Sequence, residues 1–382
     1  MRIVNTALGI LGSRFLQRPF YSRVHVTYRC NYRCRMCGIE GIRTRFDELE
    51  ATAYPEIADR LRAVGARHVV ITGGEPFLRR DLADIVGHFA RRRFSVRIQT
   101  NGGPQVTREF LMAVARAGAT DLSVSVDTLD ETAQDWITGA RGSLPHALRT
   151  LERARDLMPS GMSLANIVAS PHNFARLPEV VQYFADRGIY SYITPAAVAV
   201  SHPEAHLFRG SDGSFEFGAL DPVLRDAVID ELIALRRGGM GLTNSTRHLR
   251  DFRQYIATGR VEWDCHPGMF ALDVRPDGSV SACKEHPPIA SILSPDFVRL
   301  FRSDEFRRMA KDQARGCAGC FYGEYREPLY AIRDGSVLQE WTRDWMRTFR
   351  RGMRWGGADG VRGANGGRDP GDAICSPRGP VR

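Results

Sequence analysis

Between residues 22 and about 240, short runs of β-branched and aromatic residues alternate with longer stretches of helical periodicity. No other feature of the chain limits its fold as tightly. Strands separated by helices cannot close hairpins, so they pair in parallel through crossovers and build an α/β sheet. The pattern predicts strands near 22–28, 68–72, 94–100, 120–126, 162–168 and 189–194, and helices near 54–64, 80–92, 106–117, 143–157, 175–187 and 222–237. In parallel barrels the chemistry sits at the carboxyl ends of the strands, which makes the residues there the site candidates.

The first strand runs into Cys30-Asn31-Tyr32-Arg33-Cys34-Arg35-Met36-Cys37. Three cysteines spaced C-x3-C-x2-C can give three thiolates to one face of an iron-sulfur cluster. One iron is then left without a protein ligand, since such clusters normally take four. Zinc would need a fourth ligand close by, and His25, alternating with Val24 and Val26, fits a position facing a barrel interior better. By itself the triad leaves a cluster, zinc and coincidence open. The second strand, His68-Val69-Val70-Ile71-Thr72, ends in the turn Gly73-Gly74-Glu75-Pro76.

Triad and turn, each on a loop after a strand, together resemble the radical S-adenosylmethionine (radical SAM) enzymes. The resemblance implies an α/β fold with a partial (β/α)6, TIM-like barrel. In it Cys30, Cys34 and Cys37 would bind a 4Fe-4S cluster whose open iron is chelated by SAM. Gly73, Gly74, Glu75 and Pro76 would hold the SAM amino group. Met36 stands where the family usually has an aromatic residue against adenine, and its polarizable thioether can also contact a ring. The third strand ends at Gln99, Thr100, Asn101 and Gly102, the fourth at Ser123, Ser125 and Asp127. The family places contacts to the SAM methionyl group and ribose at these ends, so Asn101, Ser125 and Asp127 are the expected ones. Read without the resemblance, Asn101-Gly102 is a turn and Asp127 a cap. Asn173 has two readings as well, the family's asparagine after the fifth strand or the N-cap of a helix starting at Phe174.

A second group, Cys265, Cys283, Cys317 and Cys320, is enough for one closed site, and Cys317-Ala318-Gly319-Cys320 has the spacing of a metal knuckle. Residues 271–283 read as a hairpin around Pro276-Asp277-Gly278. Gly278, Cys283 and the later pair resemble the SPASM and Twitch extensions of radical SAM enzymes, which hold auxiliary 4Fe-4S clusters. Four cysteines instead of seven imply the shorter, one-cluster Twitch form in a small α+β domain, with a zinc ribbon as the alternative. The expected plan is an amphipathic helix over 1–21, the barrel over 22–240 and the SPASM/Twitch-like domain over 241–335. A basic amphipathic helix over 336–354 and a disordered tail over 355–382, with an incidental Cys375, complete it.

The net charge of +9 is concentrated at the ends. Residues 1–23 carry four arginines and no acid, and 341–382 carry nine arginines against four aspartates, so the stretch between is balanced. A nucleic-acid enzyme would carry a basic stripe on its catalytic body, so nucleic acid is not an expected partner. No run of about 18 apolar residues suggests a membrane span. Clustered cysteines without a cleavable leader point to metal ligation in the cytoplasm. Val4, Leu8, Leu11 and Phe15 form one helical stripe, and Leu338, Trp341, Trp345 and Phe349 another, each flanked by arginine. Such stripes pack on the body or make a peripheral contact with an anionic membrane.

The resemblance further implies reductive cleavage of SAM to a 5′-deoxyadenosyl radical that abstracts hydrogen from a substrate, with electrons from a donor such as flavodoxin or ferredoxin. The substrate is expected to be a small molecule, a lipid-like molecule or a peptide. His172, Tyr192, Tyr255 and Glu285 are candidate contacts to it. The rival reading is a non-catalytic zinc-binding protein whose basic termini engage nucleic acid or protein partners; the Gly-Gly-Glu-Pro turn argues against it.

Overall fold

A computed structural model describes Pro19 and residues 21–355, apart from 45, 159–160, 198–207, 219, 260–264, 316 and 318. The N-terminal amphipathic stripe and the tail from 356, with Cys375, lie outside the described residues. Six strands, β1 (Tyr21–Thr27), β2 (His68–Gly73), β3 (Ser95–Thr100), β4 (Asp121–Ser125), β5 (Ser163–Ala169) and β6 (Tyr190–Pro195), lie side by side in chain order, all parallel. The connecting helices are α1 (Tyr54–Val64), α2 (Leu82–Arg91), α3 (Arg108–Ala117), α4 (Glu131–Thr138), α5 (Ser143–Leu157) and α6 (Leu177–Asp186), with α7 (Pro222–Gly238) after β6. Strands and helices fall within about two residues of the ranges expected from periodicity; α4 is additional.

Local chemistry explains the helix ends. Pro55 sits in the first turn of α1, and Gly65 closes it at φ 118°, a conformation that suits a residue without Cβ. Thr107 caps α3 by accepting from Phe110 N, and Asp221 caps α7 by accepting from Val223 N. The buried faces, for example Ile57, Leu61 and Val64 of α1, pack on the sheet, each such side chain contributing about 1.5–3 kcal/mol.

Along the strands, side chains alternate between two environments. Val24, Val69, Ile71, Val96, Ile98 and Ile193 point outward into the core under the helices. Arg23, His25, Thr72, Arg97, Gln99, Ser123, Ser125, Tyr192 and Thr194 line a cavity of about 2300 Å3 instead. A closed eight-stranded barrel fills its interior with layers of bulky apolar side chains. This sheet leaves a polar inner wall open to a ligand.

Beyond α7 the chain runs beside β6, with Ser191 N donating to Gly241 O (2.9 Å) and Thr243 N to Ser191 O (2.8 Å). Helix α8 (Thr246–Thr258) then sets Phe252 edge-on against Phe174 and Phe217. The expected hairpin is formed by β7 (Ala271–Val274) and β8 (Ser279–Ser281), with Gly278 at φ 79° in the turn, and β9 (Ala290–Ser291) follows. Its first strand does not stand apart from the barrel. β7 pairs in parallel with β1, Tyr21 opposite Ala271 and Val24 opposite Val274, so the nine strands of the described residues form one sheet. Helices α9 (Phe297–Phe301), α10 (Asp304–Arg315), α11 (Gly323–Arg333) and α12 (Gly335–Trp355) complete the described chain. Trp341 of α12 packs against Tyr330, Ala331 and Val337, whereas Leu338 and Met346 are exposed. Among the described residues no helix is long and apolar enough to cross a membrane.

Candidate active site

The loop after β1 is held in place by α4. Arg33 N donates to Thr138 O (3.2 Å) and Arg35 N to Ile137 O (2.9 Å), while the Arg35 guanidinium lies 4.6 Å over the Trp136 ring. This fixes Cys30, Cys34 and Cys37 on the cavity wall with Tyr32 and Met36, close enough for each thiol's charge to act on the others. Burial pushes Cys30 up to about 11 and moves Cys34 and Cys37 upward as well. Buried thiols of this kind keep their protons unless a cation binds and displaces them.

The Gly73-Gly74-Glu75-Pro76 turn is stitched to that loop. Gly74 N donates to Thr27 O (2.8 Å) and Glu75 N to Arg29 O (2.9 Å). Gly73 has φ 148°, and a Cβ there would collide with the Thr27 carbonyl, as one at Gly74 would with that of Arg29. The Glu75 carboxylate is fully buried and accepts from Phe77 N (2.9 Å), Thr100 Oγ1 (2.8 Å) and Asn101 N (2.8 Å). Burial pushes its pKa up against those donors. Gly73 and Gly74 therefore face the cavity, and Glu75 and Pro76 brace the turn from behind.

Asn101, Ser123, Ser125 and Asp127 also line the cavity. The Asn101 amide donates to Asn31 Oδ1 (2.8 Å), and its oxygen accepts from Gly103 N and Gln105 Nε2 (both 2.9 Å), so it ties the end of β3 to the cysteine loop. Asp127 accepts from Val168 N (2.8 Å), and burial pushes its carboxyl up to about 7. Asn173 lies behind this wall. Its amide donates to Asp127 O (2.7 Å) and Val168 O (2.9 Å), and it makes no side-chain cap to the following helix.

The same cavity holds a group that sequence reasoning did not identify. Arg23 pairs with Asp273 (3.2 Å) and Glu324 (2.5 Å), Lys284 pairs with Glu324 (3.1 Å), and Tyr325 OH donates to Asp273 (2.9 Å). Burial works to raise the Glu324 carboxyl, but Lys284 and Arg23 outweigh it and hold it at about 2. Burial drives His25 down to about 4, so it is neutral beside Asp273, with its ring stacked on Phe208 at 5.0 Å. A lone arginine inside the apolar run of β1 and one of only two lysines in the chain were the available signals.

Of the four candidate substrate contacts, Tyr192 lines the cavity. Its hydroxyl is buried without a hydrogen-bond partner, against Gly323 of α11. His172 is exposed against Trp136 and Phe215, and Tyr255 packs on Phe321. Glu285 accepts from Tyr322 OH (2.5 Å) and Phe208 N (3.0 Å). In the second cysteine group, Cys283 and Cys320 act on each other electrostatically and pack with Ala271, Tyr322 and Tyr325. Gly319 N donates to Cys317 Sγ (3.4 Å), and Cys265 is exposed. Among the described residues no three His, Cys, Asp or Glu side chains converge on a single ion.

Residues 24–184 match the model of the radical SAM superfamily. The chain is 32% identical over 206 residues to a probable GTP 3′,8-cyclase of Methanopyrus kandleri, covering 53% of this chain and 64% of that protein. It is 32% identical over 179 residues to the GTP 3′,8-cyclase of Marinobacter nauticus, covering 45% and 52%. The aligned stretch thus spans between about half and two thirds of these curated relatives. Streptococcus suis SuiB shares the fold at a TM-score of 0.60 and 14% identity, over 77% of this chain and 68% of that one. So does anSMEcpe, solved with AdoMet and a Cp18Cys peptide, at a TM-score of 0.56 and 13% identity over 88% and 99%. Both likenesses cover more of the chain than the six-stranded barrel alone. Residues 24–184, from β1 into α6, are thus the part of this chain that is similar to the radical SAM superfamily.

Proposed function

We propose that the chain is a radical SAM enzyme with a 4Fe-4S cluster on Cys30, Cys34 and Cys37, SAM completing that cluster's shell, and an auxiliary 4Fe-4S cluster on Cys265, Cys283, Cys317 and Cys320. With SAM bound, such a cluster supplies one-electron cleavage of the sulfonium and a 5′-deoxyadenosyl radical for hydrogen abstraction. The rest falls to the protein. With the Glu75 carboxylate engaged by Phe77, Thr100 and Asn101, the backbone of Gly73 and Gly74 is what remains for the SAM amino group. Ser125, Asp127 and Asn101 flank the methionyl and ribose end, and the Met36 thioether meets adenine. The observation that carries this reading is that residues spread from Cys30 to Asp127 open onto one cavity.

The charged part of the wall bears on the substrate. Arg23 and Lys284 are matched there by Asp273 and Glu324, so the charge of neither is left over for a triphosphate. A polar small molecule or a peptide suits this wall better than the GTP of the cyclase relatives. A one-electron donor such as flavodoxin or ferredoxin supplies the electrons, and the basic ends of the chain make a peripheral contact with an anionic membrane. That last element fails if the protein stays in the supernatant when anionic liposomes are pelleted at low salt.

Anaerobic incubation with SAM and dithionite tests the core of the proposal. The intact chain is expected to release 5′-deoxyadenosine, and Cys34→Ala to release none. GTP added as substrate should be recovered unchanged. A colourless protein carrying two zinc ions and no sulfide would favour the binding-module alternative.

A further inference from the structure

The segment Phe208–Gly210 touches both cysteine groups. Arg209 forms an antiparallel bridge with Cys37, and Gly38 N donates to Phe208 O (3.1 Å). The approach is close enough to demand glycine on both sides. A Cβ on Gly38 would come 2.5 Å from Arg209 O, and one on Gly210 would come 2.6 Å from the Met36 carbonyl. From this strap the Arg209 side chain reaches the other way, donating from Nη2 to Gly319 O (2.7 Å), inside the Cys317–Cys320 knuckle. Its charge acts on both of those cysteines. Its Nε is buried with no hydrogen-bond partner. A buried donor on a fixed cation, with the backbone of a ligand loop already engaged, is one partner short. Tyr322 and Glu285 act on it together with Cys320 and Cys317, and a cluster sulfur would add to these acceptors.

We propose that Arg209 sets the reduction potential of the auxiliary cluster, an inference that rests on the second cluster of the preceding reading. Cluster potentials follow net charge and hydrogen bonds to sulfur, and a cation beside the cluster favours the state with one more electron. Arg209 therefore raises the auxiliary potential. The strap holds it in register with the Cys37 loop, so the first centre and the charge on the second share one short piece of backbone.

The test is a redox titration followed by electron paramagnetic resonance on the full chain carrying Cys34→Ala, so that only the auxiliary centre contributes. Adding Arg209→Gln is expected to lower the midpoint by about 59 mV, a tenfold change in the reduced-to-oxidised ratio for a one-electron couple. Arg209→Lys, which keeps the charge, is expected to stay closer to the parent than to the Gln variant. An unchanged midpoint in Arg209→Gln overturns the inference, as does a Lys variant displaced as far as the Gln variant. If the Gln variant does not retain its cluster, the Lys variant decides alone. A midpoint within half of that shift from the parent supports the role of the charge, and a larger displacement or loss of the cluster overturns it. A parent protein that binds no iron at the second site sinks the two-cluster reading instead, and iron analysis separates the two failures.

Discussion

Glu75 and Glu327 are both buried carboxylates with contrasting duties. Glu75 satisfies two backbone amides and a hydroxyl at the point where β2, β3 and the cysteine loop meet. In Glu75→Ala those three donors lose their acceptor at about 1–3 kcal/mol each. Urea denaturation should therefore show a loss of at least about 3 kcal/mol; a loss below about 1 kcal/mol would mean that water replaces the carboxylate. Glu327 is on α11, also on the cavity wall. It accepts from Ser245 N (2.9 Å), and burial pushes its pKa from 4.5 up to about 7. Neighbouring His248 is driven down to about 3, also by burial, and gives it no cation. A carboxyl whose folded pKa is raised ionises first in the unfolded chain. Its contribution to stability is therefore complete below about pH 4.5 and is lost as pH rises through about 7. Relative to Glu327→Gln, the parent should lose about 3 kcal/mol of stability across that window, read from denaturation curves at several pH values. Parallel pH profiles for the two proteins would refute it.

At the scale of elements, the approach of turn to strand makes glycine obligatory in some places and incidental in others. Gly74 has ordinary backbone angles available to any residue, yet a Cβ there meets the carbonyls of both Tyr28 and Arg29. Gly41, four residues after Cys37, has nothing within 4 Å of its missing Cβ. Gly74→Ala should shift the turn away from the cysteine loop and cut SAM cleavage by about 100-fold, the cost of roughly 1 Å of misplacement. Gly41→Ala should change stability by less than about 0.5 kcal/mol and leave cleavage intact. Equal effects in the 5′-deoxyadenosine assay would show that the turn is not a positioning device. These elements were largely legible beforehand, because β-branched runs and glycine turns act within a few residues. Helix α4 was not. Its eight residues are short for a periodic signal, and its purpose, to accept amides from Arg33 and Arg35, lies a hundred residues upstream.

Over the whole molecule, the barrel and the segment after residue 240 share one sheet, and that sharing buries charge. Arg23 is 8% exposed, and its partners Asp273 and Glu324 come from β7 and α11. A chain ended at residue 240 would leave β1 as an open edge and Arg23 without either carboxylate. Such a fragment should be insoluble or lack a cooperative thermal transition by circular dichroism; a sharp melt near that of the full chain would show the two parts to be independent. Strand–helix order, the cysteine spacings and the Gly-Gly-Glu-Pro turn belong to the sequence alone, because each is written in neighbours a few bonds apart. The pairing of Arg23 with residues 250 and 301 positions away, the charge balance of the cavity wall and the reach of Arg209 from one cysteine loop to the other were decided by tertiary structure. They exist only once β7 takes its register against β1, and no local periodicity encodes which distant edge a strand will find.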